Sequence, residues 1–167
     1  VLISLLRNPR FDPLIDPVMA LLRSNVPAAY VVGILSLVSK EASSAIRKTY
    51  DPSLPLISAE PVSEPQRTRF DPNGISEGFR VRINEWITDI FLVATKDPSF
   101  VLSEKFLSEM SSSKTRHAFV ECVEAAMTFF FDSKNVDIPP SEARSLSAFL
   151  LKELESRVEK LRFDEPL

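Results

Sequence analysis

The sequence predicts an all-α fold: a compact bundle or orthogonal array of six to seven helices with one long proline-rich extended segment. Three observations lead there. Apolar residues recur at three- and four-residue spacing along most of the chain. The thirteen prolines fall between those stretches, where they start or delimit helices. Asp-Pro pairs at Asp16–Pro17 and Asp97–Pro98 supply the cap-then-proline pattern of helix starts.

The first apolar stretch, from Val1, ends at Asn8–Pro9, because the residue before proline is driven from helical dihedrals. A short helix through Val18, Leu21 and Leu22 follows, with Asp16 as its cap and Asn25 near its end. Pro27 opens a helix to about Tyr50, with Ile34, Val38, Ala42, Ala45 and Ile46 on one face. Its first half is apolar all round and is expected to be central. Its second half, with Lys40, Glu41, Arg47 and Lys48, is expected to face water.

Asp51 to Asn73 contains Pro52, Pro55, Pro61, Pro65 and Pro72, spaced too closely for a helix. Leu54, Leu56, Ile57 and Val62 among them suggest an extended strap laid across the helical body. Ser76 then caps a helix whose apolar face is Phe79, Ile83, Trp86, Ile87, Ile90, Phe91 and Ala94. Residues 79–83 also alternate with period two, as a strand would, but the helical match runs longer. Further helices are expected over Phe100–Met110, Thr115–Asp132 and Pro140–Arg162, the last with Leu146, Leu150, Leu154, Val158 and Leu161 in one stripe. The chain thus reads as one helical domain: N-terminal helices (1–50), strap (51–73) and C-terminal helices (74–167). Opening on Val1 in mid-pattern, it is expected to belong to a longer polypeptide.

One string recurs. Arg10–Phe11–Asp12–Pro13 and Arg69–Phe70–Asp71–Pro72 are identical, and Arg162–Phe163–Asp164–Glu165–Pro166 is close. The spacing fits no solenoid. Asp-Pro starts turns, and the preceding phenylalanine is expected to anchor the chain to the body.

Composition narrows function by exclusion. No window approaches the ~18 consecutive apolar residues of a membrane helix; Val26–Val38 comes nearest and contains Pro27, Gly33 and Ser36. One cysteine makes no internal disulfide, and Val1–Leu6 is too short for a secretion signal, so an intracellular, cytoplasmic location is expected. Three glycines are too few for a phosphate-cradling loop, and no cofactor is expected. His117 and Glu121 share a helix face and suit a surface ion pair. Cys122 lies about 140° round that helix from His117, so it forms no thiolate–imidazolium pair with it and should pack in the core.

The candidate contact residues are Arg67, Arg69, Phe70, Arg80, Arg82, Phe129 and Phe131. Arginines interleaved with Phe70, Phe79 and Trp86 over 67–86 suit a protein interface, and also phosphates and stacked bases. Residues 1–83 hold ten Lys/Arg against eight Asp/Glu, and residues 84–167 ten against fifteen. That acidic second half disfavours nucleic acid. Phe129–Phe130–Phe131 cannot be buried on one side of a helix, so they either sit between other elements or present a ring to a partner. The sequence therefore favours a non-catalytic helical protein–protein interaction or scaffold module within a larger assembly, with an accessory nucleic-acid-binding subunit as the alternative.

Overall fold

The computed structural model describes residues 2–24, 26–54, 66–71, 73, 77–96 and 103–164, with side chains of residues 2, 103–106 and 161–164 excepted. Among these, the expected periodicity is realised as α1 (Leu2–Arg7), a 3-10 helix (Pro9–Leu14), α2 (Ile15–Arg23), α3 (Ala28–Leu35), α4 (Lys40–Tyr50), α5 (Glu77–Lys96), α6 (Ser103–Ser111), α7 (Ser113–Ser133) and α8 (Pro140–Asp164). Two short strands, β1 (Thr68–Arg69) and β2 (Val136–Asp137), pair in parallel, Thr68 opposite Val136 and Arg69 opposite Asp137. The fold is mostly helical, with more helices than the six or seven expected. The strap's middle, with Leu56, Ile57 and Val62, lies outside the described residues, as do Ser76 and Asp97–Pro98.

The count differs partly because the helix expected over 27–50 is two. Its apolar period continues through Ser36–Ser39, but local hydrogen bonding stops it. The Ser36 hydroxyl donates to the Gly33 carbonyl at 2.7 Å, and Ser39 accepts from the Ala42 amide at 3.2 Å, capping α4. Serine oxygens compete with the backbone ladder in this way and favour helix ends over helix interiors. Pro27 stands at the N-cap position of α3, not inside it. Asp16 likewise is not the cap of α2. The 3-10 helix runs directly into α2, the Ile15 amide donating to the Asp12 carbonyl, which leaves Asp16 in the first turn. There its carboxylate opposes the positive helix end. Asn8 is the cap that forms, its side chain accepting from the Arg10 amide at 3.0 Å.

Two helices organise the interior. The apolar face of α5 packs against α3, α4, α6 and α8, while α7 packs against the 3-10 helix, α2, α3, α6 and α8. Trp86, Val93, Ala94, Phe119, Ala126, Leu154 and Val158 have no exposed surface, and Ile90, Phe130 and Phe131 nearly none. Helix over 77–96 settles the competing strand pattern at 79–83: Phe79 and Ile83 rest on the core one turn apart. Gly33 faces α5 directly. A Cβ there would meet Val93 Cγ2 at 3.4 Å and the Ile90 Cα at 3.8 Å, ordinary van der Waals distances, so α3 and α5 cross closely with room at this point for a methyl group and nothing larger.

The interior also holds charge that the sequence assigned to the surface. Arg47 is buried, not facing water: its Nε donates to Asp89 Oδ1 at 2.8 Å, and Ser43 Oγ donates to Asp89 Oδ2 at 2.7 Å. This triad bolts α4 to α5. Two turns earlier on the same face of α5, Arg82 is fully buried and donates to the Ser36 and Leu37 carbonyls. Trp86 Nε1 donates to the carbonyls of Gly33 and Ile34, at 3.1 and 2.9 Å. The carbonyls left over where α3 stops therefore receive donors from α5.

Candidate interaction surface

The corner at the C-terminal end of α7 gathers most of the candidate contact residues. Successive residues of a helix point about 100° apart, so Phe129 meets a different element from Phe130 and Phe131, which share Phe79. Phe129 is half-buried and meets Phe11, ring centroids 5.5 Å apart. Phe130 is buried edge-on to Phe79. Phe131 takes the edge of Phe70 at 5.1 Å and stacks with Phe79 at 5.5 Å. Such geometries suit the ring quadrupoles.

The recurrent string is thereby explained. Phe11 of the first copy and Phe70 of the second are each 6% exposed, and each docks on one ring of the α7 triplet. Both serve as anchors, as expected. Arg10 adds its guanidinium over the Phe11 and Phe129 rings, at 5.4 and 5.8 Å. The side chain of Phe163, in the third string, lies outside the described residues.

After α7 the chain turns through Asn135, which sits in the left-handed region at φ 61°. Asparagine is among the few residues that accept this conformation readily. The turn aims β2 alongside residues 66–70. The Thr68 amide donates to the Asn135 carbonyl at 2.9 Å and the Phe70 amide to the Asp137 carbonyl at 2.8 Å. Arg67 extends across the ladder to the carboxylates of Asp132 and Asp137, all three side chains roughly half exposed. The hydrogen bonds that Arg67 donates, the one to Asp137 foremost, raise its pKa further above the ordinary value. Nothing in the sequence marks Asp132 as a partner of Arg67, and Asp137 is only weakly marked. The signal available was the short alternation Val136–Asp137–Ile138 after a turn residue, with Val136 and Ile138 turned inward and Asp137 out.

The candidate arginines divide. Arg69 and Arg80 are exposed, and Arg67 is engaged by two acids. Arg82 is interior, two residues and about 200° from Arg80. Phe70 and Phe131 are interior as well. Of the seven, Arg67, Arg69, Arg80 and the exposed part of Phe129 present surface.

Elsewhere, a groove of about 360 Å³ between α7 and α8 is lined by Arg116, His117, Glu121, Glu124 and Arg144. Its polar side chains are partnered: Arg116 with Glu155, His117 Nε2 with Glu121 at 3.0 Å, and Arg144 with Glu124 at 3.7 Å. His117 and Glu121 make the surface contact, one turn apart, that the spacing suggests. Cys122 is buried, and desolvation pushes its thiol up to about 12, which keeps it protonated and unreactive. Among the described residues no group of three or more His, Cys, Asp or Glu could hold a metal ion, and no helix is long and apolar enough to cross a membrane.

No protein-family model, curated protein or solved structure matches the chain.

Proposed function

We propose that this chain is a non-catalytic helical module that binds another protein through the corner formed by β1, the start of α5 and the end of α7. The observation behind the reading is the setting of Arg69 and Arg80. Each is exposed and one residue from a ring, Phe70 or Phe79, that is fixed against Phe131. An arginine carried on backbone that a neighbouring packed ring fixes brings less backbone disorder to a partner, and arginine is prominent among interface anchors. The buried Arg47–Asp89 and Arg82 contacts keep α3, α4 and α5 in fixed relation behind it. A scaffold role within a larger assembly fits the same features.

Nucleic acid is the weaker alternative. With Arg82 interior and Arg67 held by Asp132 and Asp137, two arginines remain, beside two exposed carboxylates that repel phosphate. Affinity capture from the native extract, with wild type and Arg69→Ala/Arg80→Ala in parallel, tests the reading. A stoichiometric protein, once identified, should bind the double variant at least ~10-fold more weakly, or ~1.4 kcal/mol. Equal binding to both, or salt-dependent retention of DNA or RNA by wild type alone, would overturn it.

A further inference from the structure

Residues 66–71 meet the body as a docked peptide does. The segment is extended, adds one short strand parallel to β2, and uses two backbone amides for it. Arg67 reaches a pair of carboxylates, and three residues on Phe70 enters an aromatic pocket against Phe131. That is strand addition: backbone bonds give adhesion, and Arg67 and Phe70, three apart and therefore on opposite faces of the extended segment, give specificity. Apart from Phe79, these receiving groups come from one stretch, Phe131 to Asp137. Gln66, Arg67, Thr68 and Arg69 are exposed, and Phe70 alone is buried. Segments with few buried contacts and short ladders open at low cost.

We propose that this receptor also accepts residues 66–71 of a second copy of the chain, so that two molecules exchange the segment. The contact is self-complementary in the required sense. A molecule that releases its segment presents a vacant receptor and a free donor together, so two opened copies satisfy each other through two identical contacts. No new chemistry is needed, because the ligand known to fit is the chain's own. The segment is tethered on both sides: Leu54 to Gln66 reaches at most about 40 Å when fully extended and Asp71 to Glu77 at most about 20 Å, so exchange requires the two receptors to face each other within the shorter reach. The intramolecular contact competes at an effective concentration on the order of millimolar, so wild type stays largely closed and exchanges only when concentrated. The inference deepens the interaction reading by naming a partner, and its test leaves Arg69 and Arg80 unaltered so that the two can fail separately.

Two variants separate donor from receptor. Arg67→Ala/Phe70→Ala removes the ligand and leaves the receptor; Asp132→Lys/Asp137→Lys, at two exposed positions, repels Arg67 and leaves the ligand. If helix content shows the first to be misfolded, Thr68→Pro replaces it, since it deletes the amide that donates to Asn135. In sedimentation at matched high concentration, each variant alone should remain monomeric. Their mixture should associate at least 10-fold more strongly than either alone, and Arg67→Glu placed in the Asp132→Lys/Asp137→Lys chain should restore its closed monomer. Association of the mixture no stronger than that of its components overturns the proposal. So does dimerisation of the donor-deficient variant on its own, which would locate the dimer contact elsewhere.

Discussion

Arg47 Nε lies 2.8 Å from Asp89 Oδ1, with 6% of the arginine side chain and none of the aspartate exposed. The pair joins α4 to α5 at a point where a lone charge would have no water. Asp89→Ala should therefore destabilise by about 3–5 kcal/mol, because it leaves the guanidinium buried without its acid. Joint replacement, Arg47→Met with Asp89→Leu, should recover at least half of that loss, since a well-packed apolar pair avoids desolvation altogether. Urea unfolding of the three variants checks it. A double variant as unstable as Asp89→Ala would mean that the bonds from Ser43 and to the Glu85 carbonyl matter more than the charge.

Gly33 offers the opposite sign. Glycine within a helix costs about 0.5–1 kcal/mol relative to alanine, and a Cβ here finds ordinary van der Waals distances to Val93 and Ile90. Gly33→Ala should raise the unfolding free energy by up to that amount. Gly33→Val should lower it, as branched methyls would enter the α3–α5 crossing. A thermal melt ranking valine above alanine would contradict the close approach.

Cys122 reports opening of the core. Its thiol is pushed from 9.0 up to about 12 by burial, so the folded state favours the neutral form. The associated stability is complete below the unfolded value and fades as pH rises from about 9 towards about 12. At pH 8 a thiol reagent should label native protein only at the rate of unfolding, and urea should accelerate labelling in step with loss of helix. Immediate stoichiometric labelling of folded protein would show that α7 faces solvent at this position.

How far the sequence foretold this depends on which force acted. Helices held by apolar period were readable: α7 and α8 fall within about two residues of expectation, and Phe119, Cys122, Ala126 and Phe130 are buried together. The break at Ser36–Ser39 was hidden, because it arises from hydroxyl–carbonyl bonding inside an unbroken apolar run. Arg47 and Arg82 were assigned to the surface because the partners that make burial tolerable, Asp89 and the carbonyls ending α3, are distant in sequence. The same holds for the candidate surface. Its aromatic anchors were visible as a repeated string and a phenylalanine triplet, whereas Asp132 and Asp137 acquire meaning only once Arg67 is laid across them.

Neighbouring residues on α8 supply the plainest test of helix facing. Phe149 is 59% exposed, while Leu150, the next residue, is 3% exposed and lies in the stripe with Leu154 and Val158. One step along a helix turns a side chain by about 100°, so the larger hydrophobe is outside and the smaller one inside. Leu150→Ala should cost about 2–5 kcal/mol, combining lost transfer energy with the cavity left against α7 and α5. Phe149→Ala removes more atoms yet should change stability by no more than about 0.5 kcal/mol, as substitutions on an exposed face do. The two chevrons, measured in urea, should differ accordingly. A Phe149→Ala loss as large as that of Leu150→Ala would mean that α8 is rotated about its axis and that its exposed ring is covered within the same chain.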